Sequence, residues 1–170
     1  MTEHPPVDVE PSDETAVEPS AGAPGGRPSE AHTPLSITRQ YIKDFSFENP
    51  NAPGIYGAFR DEGPELNVSV DIAANPLGDN AHEVVLSLTV KASYKNTTAF
   101  IIELHYAAQA KTESDTDPEK VQRALMIEVP RYLFPFVRNI VVNATREGGF
   151  PPLLLNPINF AKLHRNRSAQ

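Results

Sequence analysis

Residues 83–106 read EVVLSLTVKASYKNTTAFIIELHY, and their alternation decides the fold class. Val84, Leu86, Leu88, Val90 and Ala92 fall on one side of an extended chain, with Glu83, Ser87, Thr89 and Lys91 on the other. Asn96 marks a short hairpin connection. Beyond it Phe100, Ile102, Leu104 and Tyr106 repeat the inward set, while Ala99, Ile101, Glu103 and His105 point outward. Two strands with one apolar and one polar face belong to an antiparallel sheet wetted on one side.

The same texture extends upstream. Val68, Val70 and Ile72 alternate with Asn67, Ser69 and Asp71, and NPLGDN supplies a turn before the hairpin. Earlier, ITRQYIKDFSFE sets Ile37, Tyr41, Phe45 and Phe47 against Thr38, Gln40, Asp44, Ser46 and Glu48, with Ile42 and Lys43 out of phase. Between these strands NPNAPGIYGAFRDEGP, rich in proline and glycine, reads as a long loop. Four strands are therefore expected.

Downstream of KTESDTDPEK the period becomes helical. Asp117 can cap a helix with Pro118 at its first position, Pro130 interrupts, and a second helix runs to about Arg146, where Gly148-Gly149 stop it. Tyr132, Leu133, Phe134, Phe136, Val137, Ile140, Val141 and Ala144 span an arc of about 200° at 100° per residue. One sheet covers a stripe of roughly half that width. A second copy of the chain is expected over the rest, so the protein should be an oligomer. Arg131, Arg138 and Arg146 lie opposite the arc and read as a solvated face. Asn156 and Pro157 are expected to open a short last helix carrying Ile158, Phe160 and Leu163, and residues 165–170 form a short polar tail. The fold class is α+β: a four-stranded antiparallel sheet with helices packed on one face.

Composition removes several functions. Residues 1–34 hold seven carboxylates against Arg27, seven of the 17 prolines and no aromatic residue. Such a segment buries too little apolar surface to offset chain entropy and reads as a disordered acidic arm before a domain over residues 35–164. There is no cysteine for a disulfide, thiolate metal site or nucleophile, which fits a reducing cytosol. The start is acidic rather than basic-then-apolar, no apolar run approaches the ~20 residues of a membrane span, and an acidic chain is a poor nucleic-acid binder. The five histidines lack metal-ligand spacing, and neither a phosphate loop nor a GxSxG elbow occurs. No catalytic residue, metal or cofactor is expected, and the protein does not read as an enzyme. Another possibility is a small-molecule-binding or enzyme domain on a similar sheet-and-helix layer, which would need a closed pocket with convergent polar groups.

Four segments then stand together: DFSFENPNAP at 44–53, AFIIE at 99–103, LFPFVR at 133–138 and NPINF at 156–160. In this order and spacing they resemble SecB, the bacterial protein-export chaperone family, over roughly residues 36–164. The resemblance implies a homotetramer assembled as a dimer of dimers. It also implies a cytosolic holdase that binds unfolded preproteins without ATP and passes them to the translocation ATPase SecA. SecA's zinc-bearing tail docks on the outer sheet face in that family, at positions matching Asp44, Glu48, Ile101 and Glu103. Clients are expected in apolar grooves between the long loop and the helices, with Tyr56 and Phe59 in the loop and Phe100 and Phe150 as walls.

Overall fold

The computed structural model describes residues 35–60 and 63–168, apart from the side chains of residues 59, 60, 167 and 168. The acidic arm expected over residues 1–34 lies outside the described residues. β1 (Leu35–Glu48), β2 (Glu65–Gly78), β3 (Ala81–Tyr94) and β4 (Thr97–Thr112) form one antiparallel sheet in the order β1-β4-β3-β2.

Two hairpins build three of the four strands. Asp79 and Asn80 have φ of 49° and 58°, and Lys95 and Asn96 have 45° and 66°. Positive φ at both central residues makes a two-residue turn whose twist matches that of the flanking strands. Gly78 therefore pairs with Ala81, and Tyr94 with Thr97. The turn expected over NPLGDN shrinks to two residues, because Asn75 to Gly78 continue β2. The expected long loop likewise contains a 3₁₀ helix, Gly54–Arg60, which seats Ile55 in the core.

β1 and β4 depart from simple alternation at three points. Thr38 and Lys43 are each an extra residue in β1, since Ile37 and Arg39 pair with Ala110 and Gln109, and Ile42 and Asp44 with Tyr106 and His105. Each such bulge moves the following residues to the opposite face. Between the two bulges Tyr41 therefore points outward and Ile42 inward, reversing the expected placement; after the second the phase is restored. Ala99 is the third extra residue, as Ala92 pairs with Phe100 and Ser93 with Thr98. It is fully buried rather than outward.

The helical layer starts as expected: the Asp117 side chain accepts the Glu119 N–H at 2.9 Å, with Pro118 opening α1 (Pro118–Arg123). Pro130 does not interrupt. A π-turn segment, Ala124–Glu128, leads directly into α2 (Val129–Glu147), with the Val129 N–H reaching back five residues to the Ala124 carbonyl. A widened turn accommodates a ring that has no N–H and would crowd the carbonyl four residues earlier. Leu133, Val137 and Val141, one helical turn apart, are fully buried against the sheet residues Leu88, Val90, Ile102 and Leu104. The rest of the apolar arc is left outside: Tyr132 is 60% exposed and Phe136 49%.

α2 ends at the two glycines. Gly149, at φ +82°, donates to the Arg146 carbonyl at 3.1 Å, and Phe150 donates to that of Thr145 at 3.0 Å. This paired closure satisfies the last helical carbonyls and turns Phe150 back into the core. Buried Thr145 donates its hydroxyl to the Val141 carbonyl at 2.9 Å and accepts the Leu153 N–H at 3.0 Å, so it ties the outgoing chain to the helix. The last helix, α3 (Phe160–Ser168), begins later than expected. Asn159, not Asn156, caps it by accepting the Lys162 N–H at 2.9 Å, and Phe160 packs edge-on against Phe134 at 5.8 Å. The helix continues past residue 164, so the expected boundary of a polar tail falls within it.

Gly148 is needed for space rather than for backbone freedom: a Cβ there would collide with the Phe47 ring. Gly148→Ala should therefore destabilise the protein by about 1–3 kcal/mol through forced repacking. Denaturant unfolding of the two proteins measures this, and equal midpoints and slopes would show that the ring moves aside freely.

Candidate functional site

The outer sheet face and the helix-side grooves are separate surfaces. On the outer face the register sets Glu48 opposite Ile101, Ser46 opposite Glu103 and Asp44 opposite His105. Lys91, Thr89 and Ser87 flank the same three β4 residues on β3. Asp44, Glu48, Ile101 and Glu103, the four outer-face positions expected from sequence, thus share one patch. The three carboxylates are exposed and Ile101 is half-buried. None of the three forms an ion pair among the described residues, where the pairs are Lys43–Glu83 and Arg146–Glu147. Unpaired carboxylates around a single apolar side chain form a surface complementary to a cationic partner.

Beside this patch Glu83 gathers β1 from two strands away. Tyr41 Oη donates to Glu83 Oε1 at 2.6 Å, and Lys43 Nζ meets Glu83 Oε2 at 2.7 Å. Ala107, on β4 between them, is fully buried. Its small side chain lets the bonded pair cross the intervening strand. The hydrogen bonds from Lys43 and then Tyr41 hold the Glu83 carboxyl below its ordinary range, and the bond to Glu83 raises the Tyr41 phenol.

On the helix side, aromatic rings converge where β1, the 3₁₀ helix and the end of α2 meet. Phe100 and Phe150 lie 4.9 Å apart, Tyr56 and Phe150 5.3 Å, and Phe47 stacks on Phe100 at 5.8 Å. Tyr56 Oη donates to the Gly148 carbonyl at 2.9 Å and accepts from Asn49 Nδ2 at 2.8 Å. Among the expected client-binding residues, Tyr56 is exposed at the surface of this cluster. Phe100 and Phe150 are buried in it, at 2% and 5% exposure. The Phe59 side chain lies outside the described residues.

Sequence reasoning missed the groove wall next to the cluster. A cavity of about 470 Å³ is lined by Phe45, Phe47, Ile140 and Ala144, with Asn143 and Glu147 at its rim. Alternation groups Phe45 with Phe47 on the apolar side, yet on an edge strand it is 40% exposed because α2 does not reach over it. A second groove, about 680 Å³, runs between Ile72, Ala74 and Pro76 of β2 and Val121, Leu125 and Met126 of the helical layer. Both are predominantly apolar.

A four-stranded antiparallel sheet backed by one long helix is also the fold of a solved structure. It is a SecB-like chaperone of Mycobacterium tuberculosis in complex with a ChAD peptide from an antitoxin (TM-score 0.61, 16% identity, 73% of this chain and 90% of that one). The family model for the preprotein translocase subunit SecB matches residues 28–170. The chain belongs to the SecB family. The protein-export protein SecB of Rhodospirillum centenum is 45% identical, with 92% of each chain covered. That of Bartonella quintana is 44% identical, over 80% of this chain and 85% of its own. Membership makes this an export chaperone rather than a small-molecule enzyme on a similar layer. Among the described residues, no helix is long and apolar enough to cross a membrane.

The lowered Glu83 value fixes a pH dependence. Its bonds add stability that is fully present above the ordinary carboxyl value of 4.5 and is lost as pH falls through the lower folded value. Glu83→Gln should therefore be less stable than the parent at pH 7, with the gap closing below about pH 4.5. Urea unfolding across that range tests it; a gap that stays constant down to pH 3 would contradict the assignment.

Proposed function

We propose that this SecB-family protein is an ATP-independent holdase of the cytosol that binds unfolded preproteins and delivers them to SecA. The observation that carries the reading is the separation of its two surfaces. The acidic patch of Asp44, Glu48, Ile101 and Glu103 lies on the outer sheet face, and the apolar grooves lie on the helix side. A chaperone built this way holds a client and meets a basic, zinc-bearing SecA tail at the same time.

Client segments are proposed to lie along the grooves, with Tyr56 and Phe59 at the loop and the buried Phe100 and Phe150 as the wall behind. Extended clients suit this surface because apolar contacts accept many side chains, and backbone pairing at a free strand edge requires no particular sequence. That a protein of the same fold holds a peptide agrees with this mode. The reading calls for no cofactor, metal, nucleic acid or membrane insertion by this chain, and for no catalytic step. Residues 1–34 are proposed to be a solvated acidic arm.

The uncovered helix face supports a homotetramer, a dimer of dimers. Tyr132 and Phe136 on α2 and Ile42 and Phe45 on β1 leave large apolar side chains in water on the helix side of one subunit. Burial against another copy removes that cost. Light scattering should give four times 18.6 kDa; a stable monomer at micromolar concentration would exclude this assembly.

The docking proposal is tested by Glu103→Lys, an exposed outer-face change with no core contact. SecA binding should weaken roughly five- to 150-fold at low salt, as attraction becomes repulsion, and the difference should shrink as salt screens the contact. Client binding should be retained. Equal SecA affinity for both proteins at low salt would remove the patch from the docking surface.

A further inference from the structure

The second bulge of β1 needs a reason to sit at Lys43. The first is secured locally, since the extra residue, Thr38, donates its hydroxyl to the Gln109 carbonyl of the partner strand at 3.2 Å. Among the described residues, Lys43 makes no such bond to β4. Its ammonium passes over that strand to Glu83 on β3, where Tyr41, two residues back, also ends. One carboxylate therefore grips the bulged residue and the strand just before it, and both of its oxygens are used. Glu83 is well placed to do so: its side chain is only 14% exposed, against 46% for Lys43, so the carboxylate is the more rigid partner.

The consequence appears downstream. Without an extra residue at Lys43, every side chain after Ile42 would exchange faces. Asp44 and Ser46 would turn toward the helices, and Phe45 and Phe47 toward solvent. The observed register places Asp44, Ser46 and Glu48 beside His105, Glu103 and Ile101. We propose that Glu83 is the positioning residue of the outer-face patch: by holding Tyr41 and Lys43 it fixes the bulge that presents Asp44 and Glu48 next to Glu103 and Ile101. It stands outside the patch and acts through β1. The inference deepens the docking reading and rests on it.

The competing explanation is that Phe47, stacked on Phe100 at 5.8 Å, holds the register alone. The experiment compares the full-length parent with Glu83→Leu, Glu83→Gln and Glu103→Lys, by amide hydrogen exchange and by SecA titration at low salt. Glu83→Leu should speed exchange of β1 amides from Ile42 to Glu48 about tenfold and weaken SecA about tenfold, the loss expected when hydrogen bonds to a charged group are removed. The β2–β3 hairpin should exchange as before. Glu83→Gln, which keeps an acceptor for Tyr41 but loses the charge that holds Lys43, should fall between; it also serves if the leucine variant does not fold.

Unchanged exchange over β1 in the Glu83 variants overturns the proposal whatever SecA does, and assigns the register to Phe47. Faster exchange with parental SecA affinity also overturns it, provided that Glu103→Lys has weakened binding. If Glu103→Lys itself has no effect, the docking reading fails, and exchange alone then decides whether Glu83 sets the strand.

Discussion

A strand has two faces, and in this sheet they meet unlike surroundings, one packed under helices and the other carrying its carboxylates toward solvent. One extra residue in β1 exchanges the two sets over all that follows. The chain carries two, Thr38 and Lys43, and the second undoes the first. Between them a short stretch is inverted, which sends Tyr41 outward to Glu83 and brings Ile42 to the helix side. Beyond them the acidic residues and the phenylalanines return to the faces that alternation assigns. The outer patch, the stack of Phe47 on Phe100 and the space left by Gly148 for the Phe47 ring all depend on that cancellation.

The helix side is organised by incomplete cover. α2 is apolar over more of its circumference than the sheet can reach, so Leu133, Val137 and Val141 are sealed while Tyr132 and Phe136 remain in water. β1, as an edge strand, is equally half-covered, and Phe45 becomes a groove wall instead of core. Apolar surface left in this way costs about 25 cal/mol per Å² relative to burial, which favours both association and capture of extended chains. The π-turn before Val129 matters here because it lets the helix pass Pro130 without a break, keeping α2 in line with the turn that seats Leu125 and Ile127.

What could be read from sequence follows from which features leave a pattern. The β3–β4 hairpin is legible because nine alternating apolar residues outvote any local exception, and the Asp117-Pro118 and Gly148-Gly149 punctuation marks where α1 begins and α2 ends. Bulges leave a fainter mark. Ile42 and Lys43 fall out of phase, but Thr38 and Ala99 look like ordinary strand residues, and the role of all three bulged positions is visible only in the register. At α3 both Asn156 and Asn159 are acceptable caps, and Pro157 favours the first. The choice of Asn159 goes with Phe160 reaching Phe134, a contact between distant segments. The outer-face positions come from the family resemblance, and alternation agrees in placing them on one face because the two bulges cancel before Asp44. Sequence does not tell a buried Phe100 from a half-exposed Phe45 when both alternate inward.

The two tight hairpins have a consequence for the order in which the molecule forms. β2, β3 and β4 meet across turns of two residues, so their pairing closes short loops and proceeds from local contacts. Every β1–β4 pair joins residues more than fifty positions apart in the chain. The entropy of closing so long a loop is recovered only when the β2–β3–β4 surface already exists to receive the strand. β1 is thus the last strand to join the sheet and the first to leave it, and a nascent chain cannot display the completed acidic face until β4 has been synthesised.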